Sequence, residues 1–227
     1  MSTNEEKAEG RGFESYCSLM KVCAMSDLHG YKVDIPKCDV LVVAGDISSS
    51  GDETWFKNDF IPYLSENKDK YDICFLVFGN HDDKIQMANI TNVPNYIKIL
   101  TNTEYKYKNK KFFGSPYSKY TPEIYKTMNT LIESSLKMLF ECIPEDTDIL
   151  ITHSPPYGIG DVVVNETEHL GSVSLLERIK IVKPKIHIFG HIHTGEKYTK
   201  ENGTKHYNVS ILGENYKITN KPIIIDV

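Results

Sequence analysis

Five apolar runs along this chain each end in a short cluster of carboxylate, amide or imidazole side chains. The runs cover residues 21–25, 39–44, 72–78, 148–152 and 185–189. Near-continuous apolar runs of this length are typical of strands buried on both faces. The clusters that follow them are Asp27-Leu28-His29, Gly45-Asp46, Gly79-Asn80-His81-Asp82, His153 and Gly190-His191-Ile192-His193. Because the ends of such strands meet at one edge of an open sheet, the pattern predicts a centre for two metal ions there.

Segments with helical spacing alternate with these runs, at about 52–67, 121–142 and 171–182. In the longest segment apolar residues recur on one side of the predicted helix. Pro122 and Pro144 bracket that segment, as expected of a first-turn proline and a helix stop. The sequence therefore predicts three substantial helices between the strands.

The rest of the chain fits one domain of the α/β class. Residues 205–227 alternate apolar and polar side chains and predict further strands. Strands and helices interleave without an internal repeat or a linker, so sheets covered by helices are expected over residues 16–227. Residues 1–15 lack periodicity, and we predict that they form a flexible tail.

Composition and charge restrict the classes of partner. The chain has 227 residues, a formal net charge of −5 and a pI near 5.9. Its 26 lysines and arginines are dispersed, and the lysine-rich stretch 106–111 is typical of a solvated turn between two strands. A dedicated nucleic-acid-binding function is therefore disfavoured.

Cysteine usage and hydropathy predict a cytoplasmic protein without a membrane segment. The first twenty residues are polar, and no stretch reaches the eighteen apolar residues that a membrane span needs. Five cysteines are odd in number and widely spaced, which favours buried free thiols over a disulfide framework. They are Cys17, Cys23, Cys38, Cys74 and Cys142.

Spacing within the clusters has a simple physical interpretation. In an extended segment the side chains at i and i+2 point the same way, so Asp27 and His29 would face one ion while Leu28 enters the core. The same geometry is expected around Ile192. Glycines precede three of the clusters, where the chain must turn sharply and pass close to a bound group.

Taken together and in this order, the clusters resemble the pattern of the calcineurin-like metallophosphoesterases: D-x-H, G-D, G-N-H-D/E, a lone His and G-H-x-H. The blocks span residues 21 to about 195. Segments 114–117, 148–156 and 189–193, with 208–210, resemble the metallophosphoesterase-domain-containing subgroup of that family. The resemblance implies a four-layer α-β-β-α sandwich, in which two mixed sheets are flanked by helices.

The resemblance also implies a ligand set for two divalent ions. One ion would be held by Asp27, His29, Asp46 and His193, and the other by Asp46, Asn80, His153 and His191, so that Asp46 bridges them. All of these ligands offer oxygen or nitrogen, which suits Mn, Fe, Zn or Co. Mn is the favoured expectation.

The same resemblance implies a hydrolytic chemistry. Two ions held about 3.5–4 Å apart can share and deprotonate a water, which then attacks phosphorus in line with the leaving group. His81, next to the ligand Asn80, occupies the position of a non-ligand imidazole that stabilises the transition state and protonates the leaving oxygen. Asp82 is expected to orient His81.

The predicted substrate is a small phosphodiester, with 3′,5′-cyclic nucleotides as one candidate. Asn80 and His81 would contact the phosphoryl group, and Tyr117 or Tyr157 would stack on a base. Asp161 is interpreted either as a hydrogen-bond partner of a ligand imidazole or as a plain turn residue. Three histidines, His169, His187 and His206, belong to no motif and are assigned to packing or to the surface.

Two alternatives remain at the level of sequence. One is a general phosphomonoesterase, and the other is a non-catalytic scaffold of the same fold, which the retention of every ligand and of His81 disfavours. Protein phosphatases of the family carry Asp-Arg-Gly after the Gly-Asp, whereas Asp46 is followed here by Ile-Ser-Ser. Protein phosphatase activity of that type is therefore not expected.

Overall fold

Two mixed β-sheets form the centre of the computed structural model, which describes residues 19–88, 90, 92–121 and 127–227. In the first sheet four parallel strands lie in the order β1-β2-β3-β4, and β13 pairs antiparallel with β1. The strands are β1 (Lys21–Met25), β2 (Val40–Ala44), β3 (Ile73–Val77), β4 (Ile97–Ile99) and β13 (Ile223–Asp226).

The second sheet also has a parallel centre and antiparallel edges. Its order is β11-β12-β10-β9-β6-β5, with β12, β10, β9 and β6 parallel. The strands are β5 (Thr103–Tyr107), β6 (Lys110–Ser115), β9 (Ile149–Thr152), β10 (Ile186–Phe189), β11 (Tyr198–Glu201) and β12 (Thr204–Asn208). The lysine-rich stretch 106–111 spans the turn between β5 and β6, as predicted.

Side-chain alternation packs the two sheets face to face. Phe75 of β3 and Phe112 of β6 meet between the sheets with ring centroids 4.5 Å apart, and both are fully buried. The neighbour Phe113 points to the opposite face and packs under the helices that cover the second sheet. Each buried phenylalanine contributes roughly 1.5–3 kcal/mol to the free energy of unfolding.

Helices cover both outer faces and complete the four layers. On the first sheet, α1 (Glu53–Trp55) continues through a π-helical turn (Phe56–Phe60) into α2 (Ile61–Glu66). The amide of Ile61 donates to Phe56 in that turn, just before Pro62, which has no amide hydrogen to donate. A short α3 (Asp83–Met87) follows β3, and the second sheet is covered by α4 (Glu133–Phe140) and α5 (Val173–Val182).

The predicted four-layer α/β architecture is confirmed, and all five apolar runs are strands. The predicted helices at 52–67 and 171–182 are present with slightly shorter bounds. The helix predicted over 121–142 is wrong at its beginning: β7 (Ser118–Lys119) pairs with β8 (Thr130–Leu131), and helix α4 begins only at Glu133. Pro122, its proposed first-turn residue, and the tail predicted at 1–15 lie outside the described residues.

Two further expectations concern thiols and membranes. Cys23 and Cys74 are buried free thiols, whereas Cys38 is partly exposed and Cys142 is exposed. Cys17 is outside the described residues. Within the part of the chain that the structure covers, no helix has the length and apolar character of a membrane span.

Candidate metal centre

The ligand-type side chains come together because five parallel strands end at the same edge of the sandwich. Asp27 follows β1, Asp46 follows β2, Asn80 follows β3, His153 follows β9 and His191 follows β10. The first three strands belong to one sheet and the last two to the other, so the centre lies across the gap between the sheets. All seven predicted ligands and His81 lie in this one cluster.

The backbone that presents these side chains is unusual and differs from the extended geometry predicted from sequence. Asp27, His29, Asp46 and His191 have φ values of 53°, 42°, 51° and 72°, in the left-handed region that ordinary residues avoid. The i and i+2 explanation is therefore wrong, although Leu28 does enter the core. Tight turns, rather than extended chain, aim the ligands. Left-handed residues of this kind concentrate at functional sites.

One half of the cluster joins Asp27, His29, Asp46 and His193. The Nε2 atom of His193 lies 3.5 Å from Asp27 Oδ1, and that of His29 lies 3.7 Å from Asp46 Oδ2. The backbone amide of His191 donates to both oxygens of Asp27, at 3.1 and 3.0 Å, and holds that carboxylate in place. Asp27, His29 and His193 can offer their ligand atoms to one ion.

The other half joins Asp46, Asn80, His153 and His191. His153 Nε2 lies 3.0 Å from Asn80 Oδ1, 3.2 Å from His191 Nδ1 and 3.3 Å from Asp46 Oδ2. Metal–ligand bonds of about 2.0–2.2 Å place neighbouring ligand atoms about 2.8–3.6 Å apart in octahedral or tetrahedral sites. The observed spacings match that requirement. The carboxylate of Asp46 reaches both halves.

Two observations on the histidines fit these residues to metal ions. The Nδ1 atom of His153 lies 3.0 Å from the carbonyl oxygen of Ala44, which can only accept, so Nδ1 carries a hydrogen and Nε2 is the nitrogen that faces the cluster, where it can bind a proton or a metal ion. Within the described chain, both ring nitrogens of His29 are buried without a hydrogen-bond partner. A buried imidazole without partners is costly unless something binds it, and a cation beside Asp46 would.

Electrostatics in the cluster favour bound cations. Burial opposes ionisation of Asp46, but the neighbouring histidines, His153 foremost with His81 and His29, together outweigh it and hold the pKa of this carboxyl well below its usual range. Burial lowers the pKa of His29 to about 4 and that of His191 to about 3, so both imidazoles are neutral with free lone pairs. Burial also disfavours charge on His153, yet the carboxylate of Asp46 raises its pKa to about 9. Positive charge is therefore stabilised between His153 and Asp46.

His81 lies beside the cluster and is oriented by a backbone carbonyl. Its Nδ1 atom is 3.0 Å from the carbonyl oxygen of Ser49, and its Nε2 atom is 3.9 Å from Asp46 Oδ2. Because the carbonyl accepts from Nδ1–H, Nε2 is the atom that faces the centre. The side chain of His81 is about one-third exposed, in contrast to the buried ligands.

Asp82 braces the loops instead of contacting the His81 imidazole. Its carboxylate accepts from the backbone amides of Ile47, Ser48 and Gly79. Burial and the nearby charge of Asp46 raise the pKa of Asp82 to about 7, against the effect of these donors. The sequence prediction that Asp82 orients the imidazole is wrong in its detail, since the carbonyl of Ser49 does so.

An open cleft of about 620 Å³ lies over the cluster. Val163, Leu170 and Ile192 supply apolar walls, and the segment Gly213–Tyr216 forms another side. The ring of Tyr216 packs edge-on against His29 and His193, with centroids 4.9 and 5.0 Å away.

Other residues singled out in the sequence lie elsewhere. Tyr117 packs against the apolar cluster under α4 and α5, and Tyr157 packs against His169; neither is among the described residues lining the cleft. Asp161 accepts from the amides of Gly158 and Gly171 and pairs with His169 at 2.9 Å, so it braces a loop and does not contact a ligand imidazole.

Sequence reasoning missed two residues of the centre. Tyr216 lies in a turn between β12 and β13, where only strands were predicted and no local pattern signals a site. Lys197 donates from Nζ to the carbonyl oxygen of His193 at 2.7 Å, and burial lowers its pKa to about 8. A lone lysine in a polar stretch gives no signal in a sequence.

Comparison with known proteins agrees with this geometry. The family model described as calcineurin-like phosphoesterase matches residues 20–195. The chain belongs to the calcineurin-like phosphoesterase family. The human metallophosphoesterase domain-containing protein 1 is 32% identical over an alignment covering 91% of this chain and 70% of that protein.

Solved structures show the same phosphoesterase fold at low sequence identity. The phosphopantetheinyl hydrolase of Mycobacterium tuberculosis aligns with a TM-score of 0.54 and 13% identity over 86% of this chain and 90% of its own. GAP50, described as the anchor in the inner membrane complex of Plasmodium, aligns with a TM-score of 0.50 and 16% identity over 92% of this chain and 78% of its own. A hydrolase and an anchor thus share the fold, so the activity must be argued from the site.

Proposed function

We propose that this member of the calcineurin-like phosphoesterase family hydrolyses phosphodiesters at a centre of two divalent metal ions. The observation that carries the proposal is the position of Asp46, whose carboxylate lies within 3.3–3.7 Å of histidine ligands in both halves of the cluster. When bound, the two ions would supply Lewis-acid activation of water and neutralise phosphoryl oxygens.

Individual residues have distinct tasks in this reaction. Asp27 and Asp46 supply the negative charge that retains cations, and the carbonyl of Ser49 fixes the His81 ring with Nε2 toward the centre. From that position His81 Nε2 can hold a proton and deliver it to the leaving oxygen. Asn80 and His81 line the cleft where the phosphoryl group would lie.

The lining of the cleft favours a diester over a monoester. A monoester carries a second negative charge, which cationic side chains beside the two ions would help to neutralise. Among the described residues that line the cleft there is no lysine or arginine, and Glu214 adds a carboxylate. Val163, Leu170 and Tyr216 suit the organic substituents of a diester. The cleft volume of about 620 Å³ can hold a nucleoside, so cyclic nucleotides are candidate substrates.

The test is to remove metals with a chelator, reload the protein separately with Mn²⁺, Zn²⁺ or Co²⁺, and measure metal content and turnover. We expect two ions per chain, and a kcat/KM for bis(p-nitrophenyl) phosphate at least about tenfold above that for p-nitrophenyl phosphate. Cyclic AMP is the third substrate. Turnover of the monoester alone would make the protein a phosphomonoesterase, and a protein that neither binds metal nor hydrolyses any of the three would support the scaffold alternative.

A further inference from the structure

A second, smaller arm of the cleft begins on the far side of Tyr216. It has a volume of about 390 Å³ and is lined by His29, Tyr31, Ser49, His81 and Tyr216. Its mouth shares His29, His81 and Tyr216 with the main arm. The two arms therefore meet over the metal cluster, with His81 and Tyr216 at their junction.

Tyr216 lies at this junction and is 52% exposed. Its ring packs edge-on against two ligand histidines, His29 and His193. The backbone at Asn215 and Tyr216 has φ values of 56° and 55°, a costly conformation that the surrounding turn must maintain. Such a ring can divide two substituents of one substrate.

His81 lines both arms, and its contact with Ser49 ties it to the smaller one. The protonated nitrogen of a general acid must lie next to the oxygen that departs. Tyr31 and Ser49 line the smaller arm and not the main one, whereas Val163 and Leu170 line the main arm alone, and the carbonyl of Ser49 anchors the His81 ring at 3.0 Å. A group that leaves beside His81 has the smaller arm open to it.

We infer that the smaller arm, lined by Tyr31, Ser49 and Tyr216, is the leaving-group subsite for an acyclic phosphodiester, while the main arm binds the retained group. This inference rests on the proposed phosphodiesterase function. Hydrolysis forms a bond from the water oxygen to phosphorus and breaks the P–O bond to the leaving group. The leaving oxygen takes a proton from His81 Nε2, the proton that the attacking water gives up passes to solvent, and solvent reprotonates His81. The products are a phosphomonoester and an alcohol or phenol.

The chemistry of the arm specifies the kind of leaving group. Two tyrosine rings favour a planar group, such as an aryl ring or a nucleobase, which they can contact face or edge on. The described lining of this arm contains no lysine or arginine to pair with an anionic substituent, which favours a leaving group whose ring carries no charged substituent. In a cyclic nucleotide the leaving oxygen stays on the same sugar as the retained ester, so no separate group would fill the second arm.

The test uses two diesters that release the same p-nitrophenolate but differ in the retained group: bis(p-nitrophenyl) phosphate and methyl p-nitrophenyl phosphate. Tyr31→Ala, in the smaller arm, should lower kcat/KM about tenfold on both, because both lose the contact with the leaving aryl group. Leu170→Ala, in the main arm, should lower it on the bis-aryl diester alone. Tyr31→Phe keeps the ring and should restore the rate.

Tyr198→Ala is the matched control, since Tyr198 is 47% exposed on β11 and Tyr31 is 44% exposed. It should match the wild type on both diesters. Two outcomes would overturn the assignment of the arms without contradicting the proposed phosphodiesterase activity. One is an unchanged kcat/KM in metal-loaded Tyr31→Ala, and the other is an equal loss of kcat/KM in Leu170→Ala on both substrates. A metal-loaded wild type that hydrolyses neither diester would instead refute the proposed function, and the subsite with it.

Discussion

At the residue scale, the centre combines ordinary ligand types with costly backbone conformations. Four of the seven proposed ligands, Asp27, His29, Asp46 and His191, have positive φ. Each such residue costs on the order of 1–3 kcal/mol, and burial of neutral imidazoles adds to that cost. A chain selected only for stability would not retain this combination. The energetics therefore support a binding role for the cluster, independently of the family to which the chain belongs.

His81 is the residue whose role is most directly testable. His81→Ala should keep both ions, because the proposed ligands are other side chains, yet lower kcat about 10²–10⁴-fold on a diester with a poor leaving group. On p-nitrophenyl esters the loss should be smaller, since p-nitrophenolate needs little protonation. Turnover of the two kinds of ester and elemental analysis of bound metal measure both effects.

His169→Ala is the matched control for that variant. His169 is 39% exposed and His81 34%, but His169 pairs with Asp161 away from the centre. The control should keep wild-type turnover. An undiminished rate in His81→Ala on the poor leaving group would remove His81 from the role of acid.

At this scale the sequence predicts which side chains form the centre, but not the backbone conformation that directs them toward it. The types and the order of the ligands are apparent in the amino-acid sequence. The left-handed turns at Asp27 and His191 are not, because sterics alone argue against them and only the surrounding fold maintains them. Asp82 illustrates the same limit, since a carboxylate next to His81 turns instead toward the amides of Ile47, Ser48 and Gly79.

At the element scale, the strands were predictable and one helix was only partly so. Strands buried on both faces leave a strong apolar signal, as Val40–Ala44 shows with five fully buried residues. The segment before α4 has apolar residues at helical spacing, but Thr130–Leu131 pairs with Ser118–Lys119 instead. Pairing between distant segments overrides local periodicity in such cases.

Gly45, directly after β2, tests how tightly the end of this strand packs against His153. Gly45 has φ +95°, and a Cβ built there would overlap the imidazole of His153. Gly45→Ala should therefore displace a ligand as well as strain the backbone. We expect it to lose metal and to lower the free energy of unfolding by several kcal/mol, more than strain alone would cost.

Gly203→Ala separates the two effects. Gly203 has φ +88° in the turn between β11 and β12, and a Cβ there meets nothing within 4 Å. This variant should lose only about 1–2 kcal/mol and keep both ions. Denaturant unfolding and metal analysis of the two variants give the comparison. Equal losses of unfolding free energy would show that the contact with His153 does not contribute to the effect of Gly45→Ala.

At the scale of the whole molecule, the sandwich brings residues from β1 and from the turn before β13 to one edge. Apolar runs predict strands but do not show how the strands divide between two sheets. Only the family resemblance predicted two sheets. Tyr216 reaches the centre only because the chain returns from the second sheet to the first between β12 and β13. No local sequence pattern indicates such a return, so the sequence did not predict that Tyr216 lies at the centre.

Two buried histidines of the second sheet, His187 and His206, make the stability of the folded protein sensitive to acid. The hydroxyl of Thr152 donates to the carbonyl of Ser154 at 2.6 Å, so at 2.9 Å it must accept from His187 Nε2–H. The Nδ1 atom of His187 then accepts from His206 Nδ1–H at 3.1 Å. This chain of hydrogen bonds needs the lone pair of His187 Nδ1, so it is complete only while His187 is neutral, and a second proton on His206 is opposed by burial.

Burial lowers the pKa of His206 to about 4 and that of His187 well below its usual range. An unfolded chain binds these protons near pH 6.5, so between about pH 6.5 and 4 the unfolded state holds more protons than the folded state. Stability is therefore lost as pH falls through this window, by up to about 2–3 kcal/mol for His206, and His187 adds a loss of the same sign. Glu201 and Lys180, of opposite charge, flank the His206 side of the pair.

His206→Gln should reduce this acid sensitivity, because glutamine can still donate to His187 but does not titrate. The free energy of unfolding in urea, measured on chelator-treated protein so that metal release plays no part, should fall less between pH 7 and pH 4.5 than in the wild type, by about 1–2 kcal/mol. Above pH 7.5 the difference between the two proteins should stay constant, because both histidines are neutral in either state. Parallel curves through the acid range would show that His206 is protonated as readily in the folded protein as in the unfolded chain.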